Sequence, residues 1–155
     1  MKRIALTIVL VITMSGCADK ELQFSFAEGA WRAKVKNPGT PFRSDTIKIE
    51  VATDVQPEPR PTAEEVALIR RVLEALPALM PVITQELGKY DENLKDPKTF
   101  REQLKDPSIC LFKVSKAPDP PGSWTFTVER PSVGSAFGYH LEFQEQKFIR
   151  IWAGD

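Results

Sequence analysis

The sequence predicts an α+β fold, a mostly antiparallel sheet with a central helical segment (about 62–105) packed on one face. Three observations carry that expectation. Apolar and polar residues alternate at period two near the start, apolar residues recur at helical spacing from Val66 to Tyr90, and alternation returns from Ile109 to Trp152. Strands, then helices, then strands favour helices gathered on one face of an antiparallel sheet.

Leu22-Gln23-Phe24-Ser25-Phe26 alternates as a half-buried strand does, and Glu28-Gly29 reads as a turn. Trp31, Ala33 and Val35 then alternate with Arg32, Lys34 and Lys36, completing a hairpin. After the NPGTP break, Ile47, Ile49 and Val51 give a third strand. Pro57-Glu58-Pro59-Arg60-Pro61 lacks the donors a strand ladder needs, so it is an extended connector.

Thr62-Ala63-Glu64-Glu65 is a capping-box start: Thr62 can accept from the Glu65 amide while the Glu65 carboxylate reaches back. Val66, Ile69, Val72, Leu73 and Leu76 follow at helical spacing. Pro77 predicts a kink or restart, and Pro81 a less regular second half, although Leu79, Met80, Ile83, Leu87 and Tyr90 keep the period. Asp96-Pro97 opens a short helix ending near Leu104. Four strands close the chain: Ile109 to Val114, Trp124 to Val128, Tyr139 to Phe143 and Phe148 to Trp152. The last two are joined by a tight turn over Gln144-Glu145-Gln146-Lys147. No internal repeat or heptad seam is present.

The first 17 residues have their own order. Lys2 and Arg3 lead a short apolar run, Ile4 to Met14, followed by Ser15, Gly16 and Cys17. The run is well short of the roughly 20 apolar residues a bilayer span needs. This stretch resembles the signal peptide of bacterial lipoproteins, with Met14 standing where the family most often has leucine. The resemblance implies cleavage before Cys17 and a diacylglyceryl group on the Cys17 thiol. It divides the chain into a signal peptide (1–16), a lipidated tether (17–21) and one domain (22–155). It further implies a cell-envelope protein facing the periplasm. Ala18 rather than aspartate after the cysteine points to the outer membrane.

Removing residues 1–16 leaves 19 basic against 21 acidic residues, a net charge near −2 that gives no support for nucleic-acid binding. The remaining length suffices for one real core. If Cys17 is lipidated, Cys110 has no partner within the chain, and its place in Ile109-Cys110-Leu111-Phe112 reads as a buried, inert thiol.

Candidates for chemistry are few. His140 is the only histidine, and Glu142 shares its strand face. One histidine with scattered carboxylates is poor support for a metal site, so neither metal nor cofactor is expected. Ser132, Ser135, His140 and Asp155 could be drawn as a hydrolase triad, but VGSAFG does not match a G-x-S-x-G elbow. Glu64-Glu65 suits the positive end of a helix dipole, and Asp91-Glu92 marks the chain leaving the helix. Trp31, Trp124 and Trp152 read as core residues, with a ligand groove as the alternative. The row Arg32, Lys34 and Lys36 reads as a solvated sheet face or as a docking surface for an anionic partner.

Residues 60–155 also resemble small bacterial modules, some thought to act as immunity proteins beside toxins. The layout that carries this is an aliphatic helix, P-S-I-C-L-F, W-T-F-T-V-E and G-Y-H-L-E-F. The resemblance transfers no functional residue. The expectation is a lipid-anchored envelope protein with a non-enzymatic domain that binds a protein or ligand, immunity-like inhibition being one form; a small hydrolase centred on His140 is the alternative.

Cys17→Ser is expected to leave the protein unlipidated, its precursor uncut or mislocalised, because the acyl chains supply the membrane affinity. Fatty-acid labelling and carbonate washing of membranes check this. A variant that still labels and stays in the membrane fraction contradicts it.

Overall fold

The computed structural model describes residues 22–55, 57–113, 119–134 and 137–154. The signal peptide, Cys17 and the tether, and with them Val114, Ser135 and Asp155, lie outside the described residues. Seven strands form one sheet: β1 (Ser25–Ala27), β2 (Ala30–Lys36), β3 (Thr46–Thr53), β4 (Lys105–Lys113), β5 (Ser123–Glu129), β6 (Gly138–Gln144) and β7 (Lys147–Gly154). Each strand pairs with its neighbour in sequence, and every pair is antiparallel except β3 with β4.

That parallel pair has a cause in the chain. After β3 comes α1 (Ala63–Tyr90), a 28-residue helix, and the strand that follows returns beside β3 in the same direction. A parallel neighbour requires such a crossover. α1 begins as its sequence dictates: Thr62 accepts from the Glu65 amide at 3.2 Å, and Glu65 accepts from the Thr62 amide at 2.6 Å. Its seam of Leu68, Ile69, Val72, Leu76, Leu79, Ile83 and Leu87 is buried. The seam joins Ile47, Ile49, Val51, Ile109, Phe126, Leu141 and Phe143 of the sheet in one core.

The direction of α1 follows from three tethers. Glu65 pairs with Lys113 at the end of β4, Arg71 with Glu145 just after β6, and Asp91 hydrogen-bonds Tyr139 at the start of β6. The helix therefore runs along the strands, antiparallel to β4 and β6. Beyond it, Phe42 stacks on Phe100 and meets Phe126, so the loop before β3 and the chain after α1 extend the apolar cover.

The fold class expected from the sequence is corrected by this arrangement. Helical structure does not run over about 62–105: α1 ends at Tyr90, where Asp91 turns to an extended conformation. Only two 3₁₀ turns, Glu92–Leu94 and Pro97–Thr99, and a short helix α2 (Phe100–Gln103) precede β4. The strands before and after the helix form one sheet whose two parts meet at the parallel β3–β4 pair, a junction absent from the sequence-based expectation. Segregation of strands and helices along the sequence misses this, because a single helical crossover is enough to bring two groups of strands side by side.

Two local expectations also change. α1 is not broken at Pro77. Pro77 and Pro81 both lie on its exposed face, and their missing amides free only the carbonyls four residues back, those of Leu73 and Pro77. The first strand starts at Ser25 rather than Leu22, and Glu28 and Gly29 close its hairpin at φ of 52° and 77°, the two positive values a two-residue I′ turn needs. Pro107 is tolerated in β4 because the ladder shifts register between Lys105 and Ser108, beside Asp106 at positive φ.

Pro77→Ala is expected to stabilise the domain by about 1–3 kcal/mol, since it restores a helical donor in an exposed helix interior. Urea denaturation checks this; an unchanged or lower midpoint would mean that the helix depends on a bend at Pro77.

Candidate functional site

α1 and its flanking loops cover one face of the sheet. The register fixes which side chains occupy the other. Trp31, Ala33 and Val35 stand opposite Val51, Ile49 and Ile47 toward the helix, which turns Arg32, Lys34 and Lys36 away from it, opposite Glu50, Lys48 and Thr46. Ser108, Cys110 and Phe112 continue this open face on β4, Thr125 and Thr127 on β5, His140 and Glu142 on β6, and Arg150 and Trp152 on β7.

The basic row is thus aligned on one face, but its members differ. Arg32 donates to Glu28 at 2.8 Å and to Glu50 at 3.1 Å, and those carboxylates raise its pKa further. Lys48 lies 3.8 Å from Glu129 and 4.0 Å from Asp106. Lys34 and Lys36 are exposed and make no ion pair among the described residues. Lys34 stands directly opposite Lys48, a like-charge pairing that works against the hairpin. A groove of about 490 Å³ lies here, lined by Gln23, Ser25, Arg32, Lys34, Lys48 and Glu50.

At the opposite side of the open face the surface is aromatic. Phe112 is 52% exposed and Trp152 37%. Between them Cys110, Thr125, Glu142 and Arg150 line a depression of about 180 Å³. The Arg150 guanidinium lies over the Trp152 ring, 5.1 Å from its centre, and donates to Glu142 at 2.6 Å. Trp152 therefore departs from the core role expected of it. Trp124 is buried, stacks on Phe143 and donates from Nε1 to the Glu145 carbonyl; Trp31 is half-buried beneath Phe26 and Arg60.

His140 stacks on Trp152 with ring centres 5.3 Å apart, and its Nδ1 lies 3.0 Å from the Thr127 hydroxyl. Burial lowers its pKa, offset in part by the Gly154 backbone. The ring is thus held in the fold through Thr127 and Trp152. Glu142 shares its face, as the spacing implies, but pairs with Arg150 instead. Ser132 lies in the turn after β5. Cys110 is buried, and its thiol is pushed up to about 12 by burial and by the charge of Glu50, which suits an inert side chain.

A second polar cluster lies at the other end of α1, on the covered side. Asp91 accepts from the Tyr139 hydroxyl at 2.5 Å and from Arg130, and Arg130 also donates to the Tyr139 oxygen at 2.7 Å and to Gln103 Oε1 at 3.3 Å. The side chains of Arg130 and Asp91 are 12% and 18% exposed. Burial alone would raise the Asp91 pKa, but hydrogen bonds from Tyr139 and Asn93 and the Arg130 charge hold it below its ordinary value. Burial and the Asp91 bond push Tyr139 up to about 12. These side chains are engaged in the fold, tying the end of α1 to α2, β6 and the loop after β5. They lie far apart in sequence and no local pattern marks them. Phe112 did leave a signal, since Ile109-Cys110-Leu111-Phe112 is apolar on both faces of its strand.

Among the described residues no group of histidine, cysteine, aspartate or glutamate could hold a metal ion, and no helix is long and apolar enough to cross a membrane. No family model, curated protein or solved structure matches the chain.

Asp91→Asn is expected to cost about 2–4 kcal/mol at neutral pH, because it leaves Arg130 partly buried without its counter-charge. The sign with pH follows from the lowered Asp91 pKa: the stability it contributes is present above its ordinary value of 3.8 and lost as pH falls through the lower folded value. Denaturation series should therefore show the variant losing less stability than the natural protein over this acid range. Equal acid slopes would contradict this role for Asp91, as would an unchanged midpoint at neutral pH.

Proposed function

We propose that the protein is a lipid-anchored cell-envelope protein whose single domain binds a partner through the open face of its sheet and performs no reaction. The anchor rests on the order Lys2-Arg3, Ile4 to Met14, Ser15-Gly16-Cys17. Binding rests on one observation: the face left uncovered by α1 carries exposed Phe112 and Trp152 beside charged Glu142 and Arg150. Exposed aromatics and arginine in a mixed polar surround are what protein interfaces concentrate. The row Arg32, Lys34 and Lys36 forms the charged end of the same face, suited to an anionic surface. Inhibition of a toxin-like partner is one form this binding could take.

His140 gains no support as the centre of a hydrolase. Its ring is stacked on Trp152, its Nδ1 is engaged by Thr127, and the neighbouring Glu142 is paired with Arg150 rather than with the ring.

A photoreactive benzoylphenylalanine in place of Phe112 or Trp152, expressed in intact cells, is expected to give a discrete cross-linked protein. The same group in place of Val82, exposed on α1, should give none. Cross-links that are absent from the open-face positions, or equally strong at Val82, would refute this reading.

A further inference from the structure

The chain enters the domain beside its unpaired charges. Gln23, two residues before β1, lines the same groove as Lys34 and Lys48. Cys17 lies six residues earlier, so covalent geometry limits their separation to about 20 Å even for a fully extended chain. If Cys17 is lipidated, that end of β2 is held within about two screening lengths of a headgroup layer.

The charges there are uneven. Arg32 faces two carboxylates, Glu28 and Glu50, and Lys48 is compensated by Asp106 and Glu129. Lys34 and Lys36 alone in the row have no ion pair among the described residues, and both project from the open face at the tethered end of β2. Lys34 keeps that place despite standing opposite Lys48. Two uncompensated lysines at a lipid tether match an anionic bilayer in charge and in position.

We infer that Lys34 and Lys36, flanked by Arg32 and Lys48, dock on the anionic phospholipid headgroups of the membrane that holds the anchor. The row thereby fixes how the domain is turned on the bilayer. This inference rests on the lipid-anchored reading and names the anionic partner of the basic row. Membrane attraction of about fivefold per basic residue near an anionic surface makes two free lysines a useful orienting device, though not an anchor by themselves.

The test uses the full chain, produced in a bacterium, processed there and reconstituted into vesicles. Flotation with neutral phosphatidylcholine vesicles checks the anchor by itself; protein that does not float refutes the anchor and this inference with it. Lysine acetylation, read residue by residue by mass spectrometry, then compares those vesicles with ones containing 30% phosphatidylglycerol. Lys34 and Lys36 are expected to react about fivefold more slowly on the anionic vesicles, with the protection lost in high salt, while Lys89 and Lys98 are unchanged. In the Lys34→Gln, Lys36→Gln double variant, Lys48 should lose whatever protection it had. Floating protein with equal labelling at Lys34 and Lys36 on both vesicles overturns the docking and leaves the anchor standing. Protection found only in native envelope vesicles overturns it in favour of an acidic protein partner.

Discussion

Everything on the open face follows from the crossover between β3 and β4. One helix connects them, and its apolar seam is a single stripe from Leu68 to Leu87. A stripe of that kind can bury one sheet face only. With Phe42, Phe100 and Leu104 extending the cover, the helix side of the sheet is buried in one apolar core. Residues alternating out of that core are committed to the other side, whatever their chemistry. Hence Ile47, Ile49 and Val51 are fully buried while Lys48 and Glu50 beside them meet solvent.

The two ends of α1 are secured differently, and this matters for the sheet. At its start a capping box and the Glu65–Lys113 pair bind it to the end of β4. At its far end Asp91 gathers Tyr139 and Arg130, so a partly buried charge pair fixes where the helix stops. Such a pair adds little net stability over an apolar replacement but is costly to break from one side. Its value here is in register. It ties the end of the helix to Tyr139 at the start of β6 and to Arg130 just after β5.

Much of this was legible in the sequence where a local rule sufficed. The capping box at Thr62, the turn at Glu28-Gly29, the buried alternation of β3 and the outward alignment of Arg32, Lys34 and Lys36 each depend on neighbours within a few residues. The fold class was not legible in the same way. Whether β4 returns beside β3, and so makes the sheet continuous, is decided by packing between distant residues such as Ile49 and Ile109. Pro77 does not interrupt α1 for a related reason: its cost is set by which side of the helix it occupies, and packing places it toward water. Of the candidate site, the basic row can be read from alternation, whereas the outward place of Trp152 cannot, because a tryptophan in a strand carries no mark of which face is covered. Glu142 paired with Arg150 rather than His140 because the β6–β7 register sets Arg150 across from it.

A partner bound on the open face would cover it in the cell and leave the helix face bare. Hydroxyl-radical footprinting of the protein in its native envelope, compared with the same protein in mild detergent, tests this most directly. Oxidation of Phe112 and Trp152 should fall severalfold in the envelope while Tyr90 and Val82, exposed on α1, are oxidised alike in both. Equal oxidation of Phe112 and Trp152 in the two states would contradict binding through this face.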